Sequence, residues 1–155
     1  MSIADKMSEL KIRHLPLRQP ALVERTESIH EAVKAMRERR QGCALVCDRG
    51  ELVGLFTERD LLNRVMCEGV SFSVAVEHVM TPNPEKLHTD DPVITAMRVM
   101  YDGDYRNIPL VDSHGNAAGV VTVFDLVSYI AEHFPKEALN LPPDPAILIT
   151  QAEGA

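Results

Sequence analysis

Two threonine–aspartate pairs are the residues in this chain best suited to hold a polar ligand. Thr57-Glu58-Arg59-Asp60 follows Gly54-Leu55-Phe56, and Thr122-Val123-Phe124-Asp125 follows Gly119-Val120-Val121. A carboxylate can accept two hydrogen bonds from a vicinal diol, and charge-assisted bonds are the stronger kind. A threonine that opens a helix sits among unpaired backbone N–H groups, where an anion is stabilised. The same spacing is also that of a capping box, in which both side chains serve the helix's own first turn. Caps alone account for either pair without any ligand. What sets the two apart is their shared frame: an apolar residue, a glycine, two apolar residues, Thr, two variable residues, Asp. It recurs 65 residues further on, from Gly54 to Gly119. An internal repeat of this kind governs how the rest of the chain is read.

Each pair has to be delivered by a strand that ends where a helix begins. In the first copy, Ala21-Leu22-Val23 is a short extended piece. Ser28 and Glu31 form a capping box, and Ile29, Ala32, Val33 and Met36 make one buried helical face. Gly42 is expected to end that helix. Ala44–Cys47 and Leu52–Phe56 then form a hairpin through Asp48-Arg49-Gly50. Thr57 caps a second helix running to about Met66, with Leu61, Leu62 and Val65 as its apolar stripe. The second copy repeats the scheme. Asp91 is expected to cap a helix with Pro92 at its first position. Val93, Ala96, Met97 and Met100 form its buried face, and Ile108–Val111 is the strand. The turn Asp112–Gly115 is one residue longer than its counterpart, and the last helix runs from Val123 to His133.

Each half therefore reads strand, helix, strand, strand, helix, and exposes an apolar helix face it cannot bury alone. The fold class is α/β (α+β), with the two repeats packed about a pseudo-two-fold axis. The chain divides into an N-terminal segment (1–13), repeat 1 (14–67), a connection (68–80), repeat 2 (81–134) and a Pro-rich C-terminal tail (135–155). Met7, Leu10 and Ile12 suit a short amphipathic helix or no order at all. Val74, Val76 and Val79 are placed to pack across the connection. In the tail, the apolar run Ala146–Ile149 is expected to dock on this chain's own surface or on a second copy.

Composition removes several function classes. The 155 residues carry a net charge of −7, which gives no bulk attraction for nucleic acid or an anionic membrane. The basic cluster Lys34, Arg37, Arg39 and Arg40 reads as a solvated helix end. There is no Trp to stack single-stranded bases. Three cysteines, Cys43, Cys47 and Cys67, form neither an even framework nor a C-x-x-C, so free thiols in a reducing cytoplasm are expected. No apolar run approaches a membrane span, and no apolar stretch follows Met1–Lys6 to make a signal peptide. The six histidines are scattered without metal-ligand spacing, so no metal is expected. Neither a P-loop nor a G-x-G-x-x-G occurs. An enzyme needs an activated nucleophile or a metal, and the sequence offers neither.

The doubled frame, together with Arg106-Asn107-Ile108-Pro109-Leu110-Val111-Asp112 ahead of the second hairpin, resembles the CBS domain, and two in tandem resemble a CBS pair or Bateman module. The resemblance covers roughly residues 14–134. It implies a regulatory binding module rather than an enzyme. Its clefts would take an adenosyl ligand: AMP, ADP or ATP, or else S-adenosylmethionine or NAD. Asp60 and Asp125 would accept from the ribose hydroxyls, and Thr57 and Thr122 would contact ribose or phosphate. Arg106 falls where the family often carries a basic residue, with Asn107 beside it. Repeat 1 has Gly42-Cys43 there. Arg59 either compensates or pairs with Glu58 or Glu68. The two clefts should differ in affinity. The family tends to pair modules through their helices into a flat disc, so a homodimer is expected, with a regulated partner protein as the output. The alternative is a non-catalytic protein-interaction module with degenerate, empty clefts.

Overall fold

The computed structural model describes residues 2–134. The tail, with its Ala146–Ile149 run, lies outside the described residues. Helix α1 (Ile3–Glu9) and a 3-10 turn (Ile12–His14) precede repeat 1. Repeat 1 contains β1 (Ala21–Glu24), α2 (Ile29–Arg39), β2 (Cys43–Asp48), β3 (Glu51–Thr57) and α3 (Glu58–Asp60), which runs on through π-helical turns over Leu61–Met66. A 3-10 turn (Val76–His78) and the two-residue strand β4 (Thr81–Pro82) follow. Repeat 2 contains β5 (Leu87–His88), α4 (Val93–Gly103), β6 (Asn107–Val111), β7 (Ala117–Thr122) and α5 (Val123–His133). The expected order within each half is observed.

The strands form two sheets, ordered β1-β2-β3-β4 and β5-β6-β7. In each, a parallel pair is followed by the antiparallel hairpin. Both hairpins carry a register shift at the same repeat position, between Val46 and Cys47 and between Leu110 and Val111. The central strands are buried on both faces, because alternate side chains serve different layers. In β2, Ala44 and Val46 join the core under α2 with Ile29, Ala32, Met36 and Phe56. Cys43 and Leu45 turn the other way and meet Leu52, Leu55, Val111 and Val120 in a core shared by the two sheets. The hairpins are tied there directly, by Leu52 N–H to Gly115 O and Ala117 N–H to Gly50 O. The halves thus meet through their sheets, and not through the helix faces as expected: Ile29, Ala32 and Met36 are buried against repeat 1 and the connection, and Val93, Ala96 and Met100 against repeat 2 and the N-terminal segment.

Chain crossings hold the halves together as well. The N-terminal segment is ordered, and it docks on repeat 2. Met7, Ile12 and Leu15 are buried among Val93, Met100, Ile108 and Leu126. Val93 N–H donates to Leu10 O, and Ile12 N–H donates to Asp91 O. This crossing corrects one cap. Pro92, not Asp91, stands at the N-cap of α4, whose first N–H is met by the Leu10 carbonyl while the Asp91 side chain accepts from His88 N–H. In the other direction, β4 adds to the sheet of repeat 1, pairing with Gly54 and Leu55. Val76 and Val79 are buried in the core of repeat 1.

Two further details differ from the expectation. Ser28 caps α2 by accepting from Glu31 N–H, but the reciprocal half of the box is absent, and the first helical N–H groups go to Val74 O and Phe72 O. The helix ends before Gly42, at Arg40, in the left-handed region with φ 52°. Asp104 closes α4 in the same conformation, with φ 54°.

Candidate functional site

The sites are built at the two places where a hairpin strand turns into a helix. In each, the strand closes on a residue of its neighbour: Thr57 opposite Cys43, and Thr122 opposite Asn107. The first helical N–H then bonds back to the residue before the neighbouring strand: Glu58 to Gly42 O, and Val123 to Arg106 O, each at 3.1 Å. The chain therefore places residues 42 and 106 beside the respective helix N-termini. Both Thr–Asp pairs form complete capping boxes. Gly54, in the repeated frame, sits directly beneath the Met80 side chain, where any Cβ would overlap the thioether.

The two boxes differ in what else they hold. Asp60 is only 6% exposed. Its Oδ2 accepts from Thr57 N–H at 3.0 Å and from the Thr57 hydroxyl at 3.2 Å. Thr81, arriving on β4, donates its hydroxyl to the same carboxylate at 3.3 Å. The Arg64 guanidinium lies 3.4 Å from Oδ1 and also donates to Met80 O at 2.8 Å. Both oxygens of Asp60 are thus engaged within the chain. Asp125 is half-buried, and its Oδ2 accepts from Thr122 N–H at 2.8 Å and from the Thr122 hydroxyl at 2.9 Å. Its Oδ1 has no partner among the described residues.

The charge beside each helix N-terminus also changes sign. Arg106 is exposed next to the start of α5, and Asn107 is half-buried behind it. In repeat 1 the matching place is Gly42, and over it stands the Glu58 carboxylate, 3.2 Å from where a Cβ on Gly42 would be. Burial, and secondarily the charge of Glu58, push the Cys43 thiol up to about 12. Arg59 is exposed and takes part in none of the ion pairs among the described residues, so it pairs with neither Glu58 nor Glu68. The guanidinium that reaches Asp60 is that of Arg64.

Three residues take part in this contrast without being marked as site residues by the sequence pattern: Thr81, Arg64 and Glu58. Thr81 is brought by a strand from beyond the connection, and no local pattern marks it. Arg64 lies four residues after Asp60, a helical pairing distance that was legible. Glu58 stands in the repeated frame at a variable position, where its charge could have been compared with that of Val123. No helix among the described residues is long and apolar enough to cross a membrane.

The comparisons with known proteins agree with this architecture. The family model described as CBS domain matches twice, over residues 12–67 and 76–132. The chain is 36% identical over 99 residues to the CBS domain-containing protein CBSCBSPB1 of Arabidopsis thaliana, covering 63% of this chain and 18% of that protein. It spans about a fifth of the length of the first curated relatives it matches. Among solved structures it is similar to the CBS domain protein PAE2072 from Pyrobaculum aerophilum complexed with AMP. That match has a TM-score of 0.70 and 23% identity, and covers 76% of this chain and 90% of that one. It is similar also to the CBS domain pair of protein MJ0100 in complex with 5′-methylthioadenosine and S-adenosyl-L-methionine. There the TM-score is 0.71 at 23% identity, with 79% of this chain and 97% of that one covered. With two matched copies spanning most of its length, the chain belongs to the CBS domain family, as a tandem pair.

Proposed function

We propose that this chain is a regulatory, non-catalytic module that binds an adenosyl ligand at the Thr122–Asp125 cleft of repeat 2. The ligand class is AMP, ADP or ATP, with S-adenosylmethionine and NAD as members of the same class. The observation that carries the reading is the uncommitted Oδ1 of Asp125, beside an exposed Arg106. Asp125 has an acceptor to offer a ribose diol without losing a bond it already makes, and Arg106 supplies the positive charge a phosphate needs. The solved relatives with AMP and with S-adenosyl-L-methionine support the ligand class. At the Thr57–Asp60 site a ligand has to displace Thr81 or Arg64 and approach the Glu58 carboxylate, so that cleft is the weaker one.

The output is a change in the geometry of a homodimer or of a partner protein in the cytoplasm, driven by the ligand's differential affinity for two states. The test is a thermal-shift screen with AMP, ADP, ATP, NAD, S-adenosylmethionine and GTP as control. A ligand present at 100 times its Kd stabilises the fold by about 2.7 kcal/mol. A selective adenosyl shift that disappears in Asp125→Ala is the expected result. No shift with any adenosyl compound leaves the second reading, an interaction module with empty clefts, which the internally satisfied Thr57–Asp60 box favours.

A further inference from the structure

We infer that residues 146–153 of this chain lie in the groove between α4 and α5, antiparallel to α5, and that Glu153 there occupies Arg106 until an anionic ligand displaces it. The placement of the segment is independent of any ligand. Its regulatory part rests on the function proposed above.

Repeat 2 leaves an apolar channel open. On its outer surface Tyr101 is 88% exposed and Val127 58%. With Met97, Val123 and Ile130 they wall a groove of about 350 Å³ between α4 and α5. One end of the groove is polar, with Asp104 and Arg106 close to Val123. Apolar side chains gathered on one face mark a surface that is covered in use. The matching face of repeat 1 is charged. Counting back 64 residues on α4 and 65 on α5, Arg37 stands for Tyr101, Glu58 for Val123 and Arg59 for Phe124. Covering those charges with an apolar segment is unfavourable, so the segment belongs on repeat 2.

The chain carries an occupant of matching character. Its C-terminal tail leaves from α5, which is itself one wall of the groove. From Ile130 to Val123 that wall rises about 10 Å. Residues 135–146 span up to about 40 Å when extended, enough to turn back and reach it. The apolar run Ala146-Ile147-Leu148-Ile149 covers about 13 Å as an extended strand and lays Ile147 and Ile149 on one side. The polar residues then fall in order. With Ile149 at Val123, the donors of Thr150 and Gln151 follow for Asp104, and Glu153 reaches Arg106. Arg106 enters no ion pair among the described residues.

Tethering makes a weak contact sufficient. A linked segment has an effective concentration on the order of 1 mM, so a contact with a Kd of about 0.1 mM fills the groove about nine-tenths of the time. A ligand that needs Arg106 then meets about a tenth of the molecules in a competent state, and its apparent affinity falls about tenfold. The tail thereby sets the threshold at which the cleft of repeat 2 responds.

Disulfide trapping in the full chain, in a Cys67→Ser background, tests the placement, with melting curves to show that each variant is folded. Ile147→Cys/Val127→Cys is expected to crosslink within one chain. Ile147→Cys/Leu22→Cys, which pairs the tail with an exposed position on repeat 1, should not. No crosslink to position 127, an equal crosslink to position 22, or a crosslink that joins two chains overturns the placement; the last assigns the groove to a second copy. Calorimetry with ATP and adenosine tests the regulatory part. Ile147→Asp/Ile149→Asp should bind ATP about tenfold more tightly than wild type. Glu153→Gln should gain about threefold for ATP, the scale of an exposed ion pair, and leave adenosine unchanged. ATP affinity that ignores both variants overturns the regulatory part and leaves the placement to the crosslink. If neither wild type nor the Ile147→Asp/Ile149→Asp variant binds any adenosyl compound, the proposed function falls with the regulatory part, and the crosslink still decides where the tail lies.

Discussion

Asp60 and Asp125 hold the same place in the repeated frame, follow the same glycine and threonine, and cap the same kind of helix end. Their surroundings differ in three ways. Asp60 receives a hydroxyl from Thr81 and a guanidinium from Arg64, whereas Asp125 keeps one oxygen open. A carboxylate stands over Gly42 where Arg106 stands in the other half. The helix that Thr57 opens is α-helical over Glu58–Asp60 and π-helical from Leu61, whereas α5 is α-helical over all eleven of its residues. Duplicated motifs need not be duplicated functions. A capping box that is satisfied from outside its own repeat becomes a structural joint, and one with an acceptor left over stays available for chemistry.

The comparison breaks most readily at Asp60. Removing a buried carboxylate that accepts from four side chains and backbone groups leaves donors unpaired, so Asp60→Ala should cost about 2–3 kcal/mol of stability by chemical denaturation. Asp125→Ala loses a half-exposed cap and should cost only about 1 kcal/mol. If the two cost the same, the joint-and-site distinction fails. Ligand affinity should show the reverse order. By calorimetry, Asp125→Ala is expected to weaken the adenosyl ligand at least about tenfold, while a folded Asp60→Asn changes it by less than about twofold. Arg106 sharpens the contrast further. Arg106→Ala should weaken ATP several-fold, on the order of the charge-assisted bond it removes, and leave adenosine nearly unchanged. Equal loss for both ligands would place Arg106 away from the phosphates.

The smallest expected effect concerns the thiols, all of which lie in repeat 1. Burial holds Cys43 near 12 and, with Glu24 nearby, raises Cys47 to about 11 from an ordinary 9.0, while Cys67 is exposed. At pH 8 a maleimide should label Cys67 alone in the folded chain and all three after denaturation. Because the folded thiols ionise later than the unfolded ones, this contribution to stability is complete below about pH 9 and falls as pH rises toward about 12. Rapid labelling of Cys43 in the native protein would show that β2 is not held between two layers.

Local chemistry was legible, and remote chemistry was not. The boxes at Thr57–Asp60 and Thr122–Asp125, the hairpin turns and the span of α5 are all written within a few residues, and the structure keeps them. Asp91 has the local pattern of a cap, but the partner of that helix start, the Leu10 carbonyl, lies some eighty residues earlier in the chain. Thr81 carries no local signal for the same reason, since only the pairing of β4 with β3 brings it to Asp60. α-Helical spacing places Leu62 in the buried stripe, but the π-helical turns over Leu61–Met66 do not follow that spacing and leave it exposed. Composition points to Gly42 as the end of α2, yet Arg40 adopts the left-handed conformation that glycine usually supplies.

The crossing of the two halves has a consequence for the order of events during synthesis. Repeat 1 emerges from the ribosome first but lacks its edge strand until Thr81 and Pro82 have followed, and Asp60 waits for the same threonine. Met7, Ile12 and Leu15 emerge earlier still, yet the core that receives them is not complete until Leu126 has been made. Until Leu126 has been made, Met7, Ile12 and Leu15 therefore have no complete core to cover them. A ribosome that stalls in the connection releases neither a finished half nor a harmless one.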